Sequence, residues 1–339
     1  MNMNISIKGV IFCLLTISGV SAQDVHLSQY QFDRLQISPA LTGMFNGDKQ
    51  AALVHKQQYF AVPVDYLTFS GSYDVKFRDC YDEKGFFSGG ILFNYDQSGD
   101  SKLSLASLTI NGSYTLPLTS SLFVGGGAYV GVGQRSFSEK DLQWDNQWNG
   151  TMLDITRPSG EAFDRTSFTF LDAGLGANVR LQGVDRTKLD IGIGAFHLNR
   201  PNYTFYKNPL VDVKLPIRLS FYGLGILKVL DILDIYANGL YQDQGPYSET
   251  VLGGGAIIHL SNKKSREVEL HLGAAVRLND ALIPMIALGY DGWKGGFSYD
   301  INTSDFEVAT DGKGGPEFFL TYTYKKLCPL RQTKVCTIF

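Results

Sequence analysis

Histidine is the side chain most ready to act as base, nucleophile or metal ligand near neutral pH. This chain has five, His26, His55, His197, His259 and His271, with no ligand spacing among them. No CxxC, HExxH or GxSxG motif is present. Hydrolysis would need a Ser and a His brought together by the fold, and nothing local favours that. The reading is of a non-enzymatic chain, with no catalytic residues, no cofactor and no metal site. Gly125-Gly126-Gly127 and Gly253-Gly254-Gly255 resemble pieces of phosphate-binding loops. Neither precedes a Lys-Ser/Thr pair or a helix start. Both fall inside strand-like stretches, where they relieve curvature or leave room for aromatic neighbours.

Two further groups carry chemical interest. The stretch 134–166 holds Trp144 and Trp148 among Asp141, Asp145 and Asp154. Exposed tryptophans there would bind a partner; turned inward, they would fold the loop over whatever lies below. The acidic spacing fits no known calcium loop. Cys328 and Cys336 could pair in an oxidising compartment or remain thiols, which leaves Cys80 unmatched.

The elements that must position these residues are strands. Val268, Leu270, Leu272, Ala274, Val276 and Leu278 occupy every second place, with Glu267, Glu269, His271, Gly273, Ala275 and Arg277 between them. Successive strand side chains face opposite sides, so one face is apolar and the other charged. The same alternation recurs near 50–59, 65–77, 85–95, 102–116, 120–137, 167–181, 187–199, 213–228, 231–242, 247–261, 264–278, 281–291, 293–302 and 316–326. The expected fold is all-β: a transmembrane antiparallel β-barrel of about 14 strands, an even number as bacterial single-chain barrels have. Carboxylates facing lipid would cost a few kcal/mol each near the midplane. Asp172, Asp190, Glu267, Glu269, Arg277 and Asp300 are therefore assigned to the lumen.

Residues 1–22 read as a signal peptide: Lys8, an apolar run, then Val20-Ser21-Ala22 before Gln23. No other run of 18 or more apolar residues occurs, since Arg218, Lys228 and Asp231 interrupt the nearest one. The net charge of −3 gives no reason to expect a nucleic-acid partner. Aromatic residues (22 Phe, 18 Tyr) and 37 Gly suit a barrel, whose alternating faces cancel in any hydropathy average. Connections alternate between short (after strands two, four and so on) and often long (134–166, 200–212, 302–315). Short periplasmic turns and longer outer loops give that parity when both termini are periplasmic. The organisation expected is 1–22 signal peptide, 23–49 periplasmic or lumen segment, 50–326 outer-membrane barrel and 327–339 periplasmic tail.

Short motifs add a resemblance. Leu27-Ser28-Gln29-Tyr30-Gln31-Phe32 and Ile37-Ser38-Pro39-Ala40-Leu41-Thr42-Gly43 resemble the N-terminal signature of PorP/SprF proteins. Lys56-Gln57-Gln58-Tyr59 looks like that family's R-x-Q-W strand, and Pro63 and Ser72-Tyr73-Asp74 follow in order. Gly289-Tyr290, Phe297-Ser298-Tyr299-Asp300, Thr303-Ser304 and Gly315-Pro316-Glu317 resemble its closing pattern, with Pro316 in place of His.

The resemblance implies an outer-membrane component of the type IX secretion system. Its partners would be outer-membrane lipid, periplasmic components of that system, and an exported surface protein with a C-terminal targeting domain, such as a gliding adhesin. Trp144, Trp148, Tyr30 and Phe32 are the partner-binding candidates. The competing reading is a porin-like channel for small solutes or lipids.

Overall fold

The computed structural model describes residues 24–58, 66–78, 85–140, 142–161, 163–207, 213–263, 266–304 and 307–326. Tyr59, Pro63, Asp141 and the cysteines Cys13, Cys80, Cys328 and Cys336 lie outside them, as do the stretch read as a signal peptide and residues 327–339.

Fourteen antiparallel strands close into a barrel, each bonded to its neighbours in chain order. They are β1 (Lys49–Gln58), β2 (Tyr66–Phe77), β3 (Phe86–Ser98), β4 (Leu103–Pro117), β5 (Leu122–Ser136), β6 (Ser167–Gln182) and β7 (Lys188–Phe196). The second half comprises β8 (Arg218–Leu230), β9 (Leu233–Gln244), β10 (Tyr247–Lys263), β11 (Arg266–Arg277), β12 (Ala281–Tyr290), β13 (Trp293–Asn302) and β14 (Lys313–Tyr324). The seam runs from Lys49↔Tyr324 to Lys56↔Glu317, so no sheet edge is left to pair elsewhere.

Strand β12 shows why this sequence makes a barrel. Its residues alternate strictly between buried and exposed. Ile283, Met285 and Ala287 point inward, while Leu282, Ile286, Leu288 and Tyr290 point out. The outward leucines and isoleucines have no protein to cover them; lipid is the solvent that suits them. The interior is polar: Ser70, Asp74, Asn111, Asn178, Asp190, His271 and Glu317 are all buried. At the short-turn rim, outward aromatics cluster, with Phe87 on Tyr114 at 4.6 Å and Trp293 on Tyr322 at 4.6 Å. Such rings suit the boundary between lipid and water.

Four strand ends differ by three residues or more from the sequence expectation, the first being β3, which runs on to Ser98. Strand β7 stops at Phe196 because His197 takes a φ of 59° and turns inward. Strand β8 starts at Arg218, after Pro216, which has no N–H for a ladder; Lys214 instead bridges Asn202 within the long connection. Strand β14 starts earlier, at Lys313, and includes Pro316 opposite Tyr299. The described ladder to β1 has already ended at Glu317, so one flank of Pro316 is free.

Candidate functional site

The lumen is occupied by the chain's own N-terminal segment. From β1 it runs back into the barrel at the short-turn end, where the Asp48 N–H donates to the Tyr324 carbonyl at 2.8 Å and its carbonyl accepts from the Lys76 N–H at 2.8 Å. Ser38 then caps a single 3-10 turn, Pro39–Leu41, by accepting from the Ala40 N–H at 3.3 Å. Thr42 Oγ1 closes that turn by donating to the Pro39 carbonyl at 2.7 Å. Gly43, at φ 74°, reverses the chain and donates its N–H to Asp74 at 2.7 Å. Two more 3-10 turns, Tyr30–Phe32 and Arg34–Gln36, carry the segment to Asp24. There the Asp24 N–H donates to Gln244 at 3.1 Å, beside the β9–β10 connection and so at the long-connection end.

Glycines in the wall make this possible. A Cβ on Gly176 would meet Pro39 Cδ at 3.0 Å and the Ala40 nitrogen at 3.1 Å, and Cβ atoms on Gly127 and Gly194 would strike the Pro39 and Ile37 carbonyls. Three neighbouring strands thus lack side chains where the segment's backbone passes. Gly127, in the first glycine triplet, gives way to a backbone. A Cβ on Gly255, in the second, would strike the Leu272 carbonyl and the Gly273 Cα before the Tyr236 hydroxyl.

The firmest anchorage is a buried ion cluster. Lys56 Nζ lies 3.1 Å from Asp300 and 3.8 Å from Glu317, all three at 1% exposure or less. Arg277 reaches Asp300 at 3.2 Å and Asp280 at 2.8 Å. Ser28 sits at the centre. Its hydroxyl donates to Asp300 (2.7 Å) and accepts from Lys56 (2.9 Å) and Arg277 (2.7 Å). Glu317 accepts the backbone N–H groups of Ser28 (2.8 Å) and Gln29 (2.7 Å). Each charge therefore has both an opposite charge and hydrogen-bond partners, which buried ions require. His26 extends the group by pairing with Glu249, which also faces Arg277.

Other wall residues hold the rest. Asp33 accepts from Ser70 and Ser72, and Gln36 donates to Asn94. Arg34 and Arg180 both donate to the Met44 carbonyl, at 2.9 and 2.7 Å, and Lys76 donates to that of Phe45 at 2.5 Å. Tyr30, Ile37, Leu41 and Met44 form an apolar core with Val54, Tyr222, Leu240, Val251, Met285 and Phe319. Asp24 closes the upper end, 2.6 Å from His197 and 3.3 Å from Arg218.

The residues assigned to the lumen are placed as follows. Asp172 accepts from Tyr129 at 2.8 Å and faces His197 at 2.9 Å. Asp190 accepts from Arg180 at 2.7 Å. Glu269 meets His271 at 3.0 Å and Lys294 at 3.3 Å. Glu267 lies at the rim of a cavity of about 580 Å3 beneath the segment, its side chain about half exposed near Lys325. Arg277 and Asp300 belong to the ion cluster.

The four candidate contact residues separate. Tyr30 has 2% exposure inside the core and presents no surface to a partner, which corrects its assignment. Phe32 is turned inward, stacked on Phe319 at 3.7 Å, with its free side toward the cavity. Trp144 is half-buried against Phe163, whereas Trp148 is 55% exposed at the long-connection end. In the same loop, hydrogen bonds from the Thr156 hydroxyl and N–H hold Asp154 below the usual carboxylate range.

Ser28, Lys56 and Glu317 escape a search for chemistry by spacing, because they lie in three separate segments. A lysine at an inward position of a strand was the available signal for Lys56.

Comparison with known proteins adds the following. The model of a family described as "Type IX secretion system membrane protein PorP/SprF" matches residues 19–322. A comparison with curated proteins found no match. Among solved structures, the chain is similar to the Ralstonia pickettii toluene transporter TbuX, with a TM-score of 0.53 and 12% identity over 86% of this chain and 94% of that one. It is also similar to a Pseudomonas aeruginosa FadL homologue, with a TM-score of 0.51 and 11% identity over 85% and 92%. At such identities the likeness is one of fold.

Proposed function

Because this chain belongs to the PorP/SprF family of type IX secretion system membrane proteins, we propose that it is a non-enzymatic outer-membrane partner in export or surface attachment of a secreted protein. The short-turn end faces the periplasm and its machinery in this reading, and the long connections face outward. The loop bearing Trp144 and Trp148 offers the outer contact for an exported protein such as an adhesin.

The observation that carries this reading is the fixed segment in the lumen. A porin-like channel needs a continuous wet path, whereas here residues 24–45 are bonded to strands on all sides, with a buried ion cluster at their upper part. The likeness to a toluene transporter supports the competing channel reading only as far as the fold goes. Deletion of the gene should leave a surface protein unexported or unattached while general permeability stays unchanged, and the purified barrel should be electrically silent in planar bilayers. Normal surface display in the deletion strain would reject the proposal; a steady open conductance would favour the channel.

A further inference from the structure

The cavity of about 580 Å3 below the segment is lined by charges of both signs, with eight Lys/Arg against six Asp/Glu. On the side of β2, β6 and β7 it is lined by Arg34, Lys76, Arg78, Arg180 and Lys188. On the facing side, Asp234, Glu267, Glu269 and Asp291 come from β9, β11 and the β12–β13 turn, and the first three pair with Arg186, Lys325 and Lys294 in that order.

The basic side is only partly neutralised from within. Asp190 accepts from Arg180, and Asp185 pairs with Lys228 instead. Arg180 is thus compensated by Asp190, whereas Arg34 and Lys76 bond the neutral carbonyls of Met44 and Phe45. Among the described residues, neither Arg78 nor Lys188 has a carboxylate within ion-pair distance. Low-dielectric walls of one sign concentrate field and attract the opposite charge.

We infer that this cavity receives an extended acidic peptide segment of a partner protein, entering at the short-turn mouth with its carboxylates on Arg78 and Lys188. The space is far larger than one small anion needs. Between the charged residues it offers the rings of Phe45, Phe86 and Phe123 for the rest of the segment. The carboxylates of the facing wall can accept its backbone N–H groups. This rests on the secretion reading only in naming the partner as a protein; the binding itself is a property of the purified barrel.

The test uses the full-length protein in detergent and a fluorescent hexapeptide of alternating Asp and Gly. Its counterpart has Asn for Asp, and inorganic phosphate serves as competitor. Saturable, salt-weakened binding of the acidic peptide alone is expected. It should weaken about tenfold in the double variant Arg78→Gln/Lys188→Gln, the sum of two partly screened ion pairs. Neither residue anchors the N-terminal segment, so that variant keeps the fold. Glu267→Gln, on the facing rim, should not weaken binding. Unchanged affinity in the double variant, equal binding of the neutral peptide, or displacement by equimolar phosphate would each overturn the inference. If the peptide fails to bind while the deletion strain still loses surface display, only this inference falls. If it binds while display is normal, only the secretion reading falls.

Discussion

Lys56 on β1 and Asp300 on β13 form an ion pair of 3.1 Å with 1% exposure on either side, reaching across β14. Removing one partner of a buried pair strands the other charge and costs about 3–5 kcal/mol. Lys56→Met keeps the volume and removes the charge. Its predicted effect is local: in hydrogen exchange, amides of residues 24–36 lose protection while those of β3–β6 keep theirs. Equal protection in both proteins would mean that the cluster does not hold the segment.

The same pair should show coupling. Lys56→Met combined with Asp300→Asn removes both charges, so the second substitution should cost less than it does alone. Thermal unfolding of the two single variants and the double variant measures this, and strictly additive losses would contradict the geometry.

Gly176→Leu tests the path of the segment. The new side chain meets Pro39 and the Ala40 nitrogen, both backbone or ring atoms with little freedom. Overpacking of this kind costs about 1–3 kcal/mol. The strained segment should leave the lumen transiently, which planar bilayers would record as brief openings absent from the parent protein.

The two loop tryptophans should behave differently. Trp148→Ala removes an exposed ring and should change stability by less than about 0.5 kcal/mol. If the outer loop holds a secreted protein, it should still lower the amount retained on the cell surface. Trp144→Ala removes a ring packed on Phe163, so limited proteolysis within 142–161 should accelerate. Faster cleavage in the Trp148 variant alone would reverse these assignments.

Much of the wall was legible in the sequence, because period-two alternation is the direct trace of a sheet between lipid and a polar lumen. Leu272 and Val276 face out and His271 and Arg277 face in, as their places in β11 require. The ends of β7 and β8 were not legible. His197 leaves its ladder to meet Asp24 and Asp172, a contact made by distant residues that no local pattern announces. The interior site was legible only as fragments. Ser28, Lys56, Asp300 and Glu317 each lie in a motif quoted for the family, yet their convergence needs the closed ring. Tyr30 was named as a partner contact because an aromatic in a long irregular segment looks the same whether it caps a mouth or fills a core.

The cluster also bears on how the barrel is completed. The last described pair of the seam, Lys56↔Glu317, is itself part of it, and the segment's Ser28 and Gln29 bond Glu317 from inside. First and last strands therefore share a ligand that is covalently part of the chain. An insertion intermediate with β1 and β14 still apart would leave Lys56, Asp300 and Glu317 as unmatched charges. Zipping the seam with the segment outside would pair Lys56 with Asp300 but leave Glu317 without the two backbone N–H groups that it accepts. A barrel that closes empty therefore forgoes hydrogen bonds at its own join, a loss that threading before closure avoids.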